Sequence, residues 1–400
     1  MEESGSLKEI KRLNRLHIKQ AVYRNAPITR AEIAKRLWLT LPTVTTNVAD
    51  MLESGLLYEA PPQEWSAGPQ GGRMPLVLDF RPEAACALGA ELGPYGTTAV
   101  AVDARGNILL QNEMPPASDD YDTMLADVTE QLAALREKLG GRTPVGIGVG
   151  LPGFIETRRG LIRSSYRARW NGHALAADIT ERLGLSSVID NNVRMRVSAE
   201  EMFSRAWRPE LYAYFFISRG IACPVMMKTG VWTGYTAGAG EIGHTIVQPE
   251  GPVCPRCGHH GCLDSLASEN AILRMCEDAC RQGKAPILSR LCEGGPPDMS
   301  AVLTAQRQGD PAVTAILRQA IHYLGISLAN TANLLSPGLV LVDGYLMRSA
   351  ENQELLRQET SHYLYGLNSE EVRVEFLPFD SFRGAKGAAA QALKNFWLEL

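Results

Sequence analysis

No run of eighteen or so consecutive apolar residues appears in this 400-residue sequence, so a membrane span is not expected. The N-terminal MEESGSLKEIKRL lacks the apolar segment that a secretory signal needs. Cysteine is scarce, with eight residues in all, which does not fit the disulfide framework of a secreted protein. A strong excess of one charge is missing too. The formal net charge is only -4, so the distribution of charge, and not its total, must bear on nucleic-acid binding. Together these absences make the cytoplasm the expected compartment.

What is present is ordinary in bulk. Hydrophobic residues make up 45% and charged residues 21%, as in a soluble globular protein. A chain of 400 residues exceeds one ordinary core, so two or three domains are expected.

Charge is uneven near the N-terminus. Between Lys8 and Arg36 stand nine Lys and Arg against only Glu9 and Glu32. On charge alone this is a solvated helix face. The order of elements changes that reading. Leu13, Leu16, Ile18 and Val22 mark a first helix that Pro27 ends. Thr29 with Glu32 forms a capping-box pattern ahead of a short second helix carrying Ala31, Ile33, Ala34 and Leu37. After a tight turn at Trp38 and Leu39, Thr40 and Pro42 open a third helix. Val44, Val48, Met51 and Leu52 face inward there, which leaves Thr43, Thr45, Thr46 and Asn47 to face outward. Small polar side chains at the N-terminal end of such a helix suit entry into the major groove. Two strand-like pieces follow, Leu56 to Glu59 and Pro75 to Phe80, around a glycine-rich tip with Arg73 placed to reach a phosphate or the minor groove. The pattern is a winged helix-turn-helix over residues 1–80; a three-helix interaction module without DNA is the alternative.

A second constellation lies in EIGHTIVQPEGPVCPRCGHHGCLD. Cys254, Cys257 and Cys262 follow a C-x2-C-x4-C spacing, with His244 ten residues upstream. Three thiolates and one imidazole satisfy tetrahedral zinc and leave no open position, so the ion would be structural. His259 and His260 compete as ligands, and a set of reduced, partly buried cysteines is the bland alternative.

These residues resemble the ROK family (repressors, open reading frames and kinases) across nearly the whole chain. GGRMPLVLDFRPEA is similar to the wing and linker of its repressor branch, and GIGVGLPGFIE, with Gly153, to its glycine-rich turn near the sugar. EIGH with CPRCGHHGCLD resembles its sugar- and zinc-binding signature, and SLANTANLLSPGLVLVDG its C-terminal helix-strand unit. The resemblance implies an α/β fold: a winged helix-turn-helix followed by a two-lobed, actin-like domain of the ribonuclease-H type over 84–400. It places the lobe boundary near 192 and returns the C-terminal helix to the first lobe. It also implies a sugar or sugar derivative in the cleft, touched by Gly153, Asn191, Asn192, Glu241, His244 and Asp264. A homodimer or homotetramer on a palindromic double-stranded operator is the implied assembly. The family usually shows C-x-C-x4-C, one residue fewer between the first two cysteines than here, which puts Cys254 most in doubt as a ligand.

The kinase positions depart further. In VIDNNVRMRVSAE, Asn192 stands where the family's kinases carry the catalytic Asp. An amide is almost non-basic, so general-base assistance worth roughly 10²–10⁴-fold would be absent. Glu91 stands at the Asp of the first phosphate turn with Pro94 after it, and Cys223 and Pro224 occupy the second phosphate loop. Arg167 sits near a family Asn that contacts sugar, raising an acidic or phosphorylated ligand, and Trp170 is either core or a wall against a sugar face. No catalytic residue is assigned. The expectation is a sugar-controlled repressor without kinase activity. An active sugar kinase with an attached DNA-binding domain and a ligand-blind repressor governed by a protein partner are the alternatives.

Overall fold

The computed structural model describes residues 7–61, 76–93, 95–206, 208–235, 238–368 and 371–399. They form two compact units, Met1–Ser204 with Phe382–Leu400, and Arg205–Ser381.

The first unit opens with helices Leu7–Asn25, Arg30–Leu37 and Leu41–Glu53. Local chemistry sets their ends. The Glu32 N–H donates to Thr29 Oγ1 at 3.2 Å while the Thr29 N–H donates to Glu32 Oε2 at 2.8 Å, a closed capping box worth about 1 kcal/mol. Trp38 then adopts a left-handed conformation (φ 56°) that turns the chain, and Thr40 caps the third helix through the Thr43 N–H. Ile18, Val22, Ile33, Val44, Val48 and Met51 are fully buried where the helices meet. Leu13, expected on the same stripe, is 40% exposed. It lies about 140° around the first helix from Ile18, off the buried face. An antiparallel sheet in the order Ile28–Thr29, Val77–Phe80, Leu57–Ala60 completes this part. The short strand Ile28–Thr29 was not foreseen; two residues carry no periodicity.

The rest of the first unit is a five-stranded sheet in the order Ser187–Asn191, Ile147–Leu151, Cys86–Leu92, Thr97–Asp103, Ile108–Met114. The first three strands are parallel, and the last two continue as an antiparallel meander. The second unit repeats the plan. Arg373–Phe376, Leu339–Gly344 and Tyr212–Ile217 are parallel, followed by antiparallel Val225–Met227 and Gly230–Trp232. In both, the strand that comes first in sequence is central. A hairpin extends one side and helical crossovers feed the other, as parallel pairing requires.

Helix Arg383–Leu393 closes the first unit against its own sheet. The approach is possible only through glycine: a Cβ at Gly148 would lie 1.8 Å from Ala388 O, and on the same helix one at Gly387 would lie 1.7 Å from Met195 O of helix Asn192–Phe203. Beyond this helix, Trp397 meets Phe80 and Tyr23 edge-on with ring centroids 5.2 and 5.9 Å apart. The three N-terminal helices therefore share one apolar cluster with the C-terminal segment.

In the second unit, Pro311–Leu335 is, among the described residues, the helix long and apolar enough to cross a membrane on length and composition. Its most apolar stretch is 56% buried, and Leu317, Ile321, Leu324 and Leu328 lie in the unit's core. Thr, Ser, His and Asn interrupt it, so no unbroken apolar run appears in the sequence.

Candidate functional site

The third helix presents Thr45 and Thr46 on its exposed face, with Thr43 half-buried beside them. Thr45 Oγ1 donates to Leu41 O at 2.8 Å and Thr46 Oγ1 to Pro42 O at 3.1 Å, while Thr43 Oγ1 pairs with Thr40 Oγ1 at 2.8 Å. With their protons directed at their own helix, Thr45 and Thr46 offer outward lone pairs, which match donors on base edges. Asn47 corrects the sequence reading. It is only 4% exposed, and its Nδ2 donates to Thr43 O at 2.8 Å. The helical period explains this: 47 falls on the same stripe as 44, 48 and 51. Asn47 is an interior residue of the helix and does not face a groove. Arg73 lies outside the described residues.

In the second unit, His244, Cys254, Cys257 and Cys262 bring four donor atoms within 4.8 Å of one another, an arrangement that can hold a metal ion. His244 Nδ1 is 3.8 Å from Cys254 Sγ, and the sulfurs of Cys257 and Cys262 are 3.5 Å apart. Backbone geometry makes the knuckle. The Cys254 N–H donates to His259 O at 2.8 Å and the Gly258 N–H to Cys254 O at 2.9 Å. Gly261 has φ +69°, and a Cβ there would lie 1.6 Å from Gln248 O. The His259 backbone amide holds the Cys257 thiol down at about 6, whereas burial and the neighbouring Cys257 push Cys262 up to about 12. A bound cation would favour thiolate at both. His260 is tied to Gly251 O at 3.0 Å and, like His259, stands outside the cluster. Cys254, despite its extra spacing residue, is buried within the cluster.

Glu241 is exposed and leads into a single 3₁₀ turn, Ile242–His244. With Nδ1 toward Cys254, the His244 Nε2 points away from the cluster. Asp264 stands two residues beyond Cys262 and is buried. Its Oδ1 accepts from the Ile221 N–H at 2.8 Å and its Oδ2 lies 3.7 Å from Arg256 Nε. Burial raises its pKa above the ordinary carboxylate range, partly offset by Arg256. Both oxygens therefore already serve the second unit's own structure.

In the first unit, Asn191 caps helix Asn192–Phe203. Its Oδ1 accepts from the N–H groups of Val193 (2.9 Å) and Arg194 (3.4 Å), and its Nδ2 donates to Gly153 O at 3.0 Å. Gly153 has φ +123°, and a Cβ would lie 2.3 Å from Ser164 O, so the turn admits only glycine. Trp170 is fully buried with Nε1 donating to Ser118 O at 3.2 Å; it is core. Arg167 pairs with Asp119.

Sequence reasoning missed Arg196. Its Nε donates to Glu91 Oε1 at 3.0 Å and its Nη2 to Glu91 Oε2 at 2.8 Å, and Asn192 Nδ2 reaches Oε1 at 3.3 Å. All three side chains are buried. Glu91 thus accepts from both Arg196 and Asn192: a fork-shaped guanidinium satisfies its two carboxylate oxygens, and Asn192 donates to one of them directly. The two buried arginines of NVRMRVSAE were the available signal, since a buried guanidinium demands an acid.

Comparison with known proteins bears on this geometry. Residues 87–395 match the ROK family. The xylose repressor of Caldicellulosiruptor bescii is 23% identical over 336 residues, covering 83% of each chain. The DNA-binding transcriptional dual regulator NagC of Escherichia coli K12 is 24% identical over 347 residues, covering 85% of this chain and 82% of its own. A crystal structure of a ROK family transcriptional regulator, a homolog of the E. coli MLC protein, superposes with a TM-score of 0.77 at 21% identity over 97% of this chain and 98% of its own. A ROK family glucokinase from Streptomyces griseus, in complex with glucose and AMPPNP, gives a TM-score of 0.69 at 22% identity, over 78% of this chain and all of its own (100%). Repeated ribonuclease-H-type sheets, a knuckle of one histidine and three cysteines, and a match over most of the sequence lead to one assignment: this chain belongs to the ROK family and has its actin-like fold.

Proposed function

We propose that this chain is a sequence-specific DNA-binding transcriptional regulator, a repressor of carbohydrate-related genes under the control of a sugar or sugar-derived ligand. The observation that carries the reading is the capped third helix, which offers two exposed threonines and a half-buried third and is built into the same unit as the first ROK sheet. Residues 1–80 act as the DNA-binding domain and 84–400 as the sensor. Thr43, Thr45 and Thr46 contact the duplex, with Arg73 as a further contact. A homodimer presents two such helices to an inverted repeat, because a two-fold protein reads a two-fold site.

The metal is zinc in a structural role. Tetrahedral zinc with sulfur at about 2.3 Å sets its sulfurs about 3.8 Å apart, close to the separations within the knuckle. In the second unit the ligand is met by Glu241 and His244. It shifts DNA affinity only as far as it favours one conformation. A ligand-blind sensor is the second reading, favoured by Asp264, whose oxygens are already engaged.

Kinase activity is absent in this proposal. The Glu91–Arg196 fork occupies the carboxylate that would otherwise face metal and phosphate, and Asn192 cannot take a proton. Sugar-dependent ATP turnover by the purified chain is expected to stay at background across a panel of hexoses and pentoses. Turnover above one per minute with any of them would refute this part.

The test of the DNA reading is selection of bound duplexes from a random pool with zinc-replete protein, in the presence and absence of sugars. An inverted repeat is expected to be enriched, with recovery changed by at least one sugar. Thr45→Glu and Thr46→Glu, both at exposed positions, should each weaken the selected duplex by about tenfold or more, as loss of a base or phosphate contact costs about 1–3 kcal/mol. Failure to enrich any sequence across salt concentrations sinks the DNA reading. Recovery that no sugar alters favours the ligand-blind sensor.

A further inference from the structure

Within the first unit, a pocket of about 320 Å³ opens beside the first helix. Arg12, Arg15 and Lys19 line one side of it, and Ser54, Leu56 and Trp397 stand on the others. Positions 12, 15 and 19 fall at i, i+3 and i+7, so a single helix face delivers three cations to one cavity. No acidic side chain is among its lining residues. Arg15 does have an acidic partner outside the lining, Asp50, which is shared between Lys11 (3.7 Å) and Arg15 (3.8 Å) at the solvent surface. Lys19 donates to the Trp397 carbonyl and sits 4.8 Å above its ring. Burial and the Arg15 charge together push the Lys19 pKa down to about 8. Concentrated positive charge without a lining acid is a cost that a bound anion removes.

We propose that this pocket is a binding site for a small phosphomonoester dianion, which Arg12, Arg15 and Lys19 recognise by charge. Its volume lies at the low end of small-molecule sites, enough for a phosphorylated sugar-sized molecule. The position separates it from the DNA-reading residues. Ser54 and Leu56 follow the C-terminal end of the helix whose N-terminal turns carry Thr43, Thr45 and Thr46, so Ser54 lies about 12–17 Å along the helix axis from those threonines. The phosphate is assigned to a free metabolite, and the duplex measurement tests the DNA backbone as its source. The walls come from the first helix, the turn after the third helix and the C-terminal segment. An occupant links all three and stiffens the seat of the third helix. That consequence rests on the proposed DNA function, whereas the binding itself does not.

Titration calorimetry of the full zinc-replete chain with inorganic phosphate, glycerol 3-phosphate and neutral glycerol tests the site without DNA. Saturable one-to-one binding of both anions is expected, and none of glycerol. Arg12→Glu, at an exposed position, should weaken glycerol 3-phosphate at least tenfold. Lys19→Met, which keeps the apolar stem against Trp397, should do the same. Absence of saturable anion binding, or unchanged affinity in both variants, overturns the proposal. On the selected duplex in phosphate-free buffer at physiological salt, Arg12→Glu should keep affinity within about threefold. A tenfold loss there would reassign the pocket to a backbone phosphate and overturn the free-metabolite assignment.

Discussion

Stripping the metal with a strong chelator is expected to release one equivalent of zinc and to lower the melting temperature of the second unit by roughly 10 °C or more. Cys262→Ser should reproduce both effects permanently. The argument starts from how little else holds residues 244–262 together. The segment has no helix beyond its opening 3₁₀ turn, and its backbone is linked by isolated bridges, Ile246 with Cys262 and Val253 with His260, and by scattered turn hydrogen bonds such as Val247 N–H to Gly261 O, with no extended strand ladder. Cys254 and Cys262 are buried, and without metal their thiols are poor hydrogen-bonding groups facing one another. Structural zinc contributes about 10–16 kcal/mol to isolated fingers. Here the surrounding unit retains its own core, so a loss nearer 3–5 kcal/mol is expected, and each kcal/mol moves a domain of this size by about 2–4 °C. Metal content by mass spectrometry and thermal melting check the result. His260→Ala, whose ring is occupied by Gly251 O, should keep its zinc. Zinc retained by Cys262→Ser, or lost from His260→Ala, would show that the ligand set is wrong.

The features that sequence made legible are those closed within a few residues. The Thr29–Glu32 box, the Thr40 cap with Pro42, and the C-x2-C-x4-C knuckle all satisfy their chemistry locally, so residue type and spacing were enough. His244 lies only ten residues from Cys254, near enough to be drawn in. What stayed hidden depends on phase or on distant partners. Asn47 looked available because it is polar, yet one step of helical phase seats it between Val44 and Val48. Glu91 and Arg196 are 105 positions apart, and nothing in either segment names the other. Asp264 read as a ligand residue from its place beside the cysteines, while its partners, the Ile221 amide and Arg256, emerge only from the fold. Trp397 shows the same limit. Near the end of the sequence it is one more aromatic, and only the return of the C-terminal helix brings it to Tyr23 and Phe80.

Gly148→Ala is expected to lower the melting temperature of the first unit by at least 6 °C, and Gly148→Val to leave little of that unit folded. Gly148 is the second residue of strand Ile147–Leu151, which lies between the strands Cys86–Leu92 and Ser187–Asn191. Its added Cβ would lie 1.8 Å from Ala388 O and 2.4 Å from Ala388 C, both backbone atoms of helix Arg383–Leu393. No rotamer relieves such a clash; the helix must lift from the sheet. The same helix is held close at two more points, since a Cβ at Gly89 would lie 2.1 Å from Ala385 O and one at Gly387 1.7 Å from Met195 O. Overpacking ordinarily costs about 1–3 kcal/mol when side chains can give way. With backbone as the obstacle, about 3 kcal/mol is a lower figure, which corresponds to about 6 °C or more at this domain size. The effect should reach the DNA-binding helices, because Lys394–Leu398 continues from this helix and places Trp397 against Tyr23 and Phe80. Gly148→Ala should therefore weaken operator binding although residue 148 contacts no helix that reads DNA. The zinc proposed for the second unit serves as an internal control and should remain at one equivalent. A Gly148→Ala protein that melts within 2 °C of the original would mean that the helix and sheet are not packed this closely.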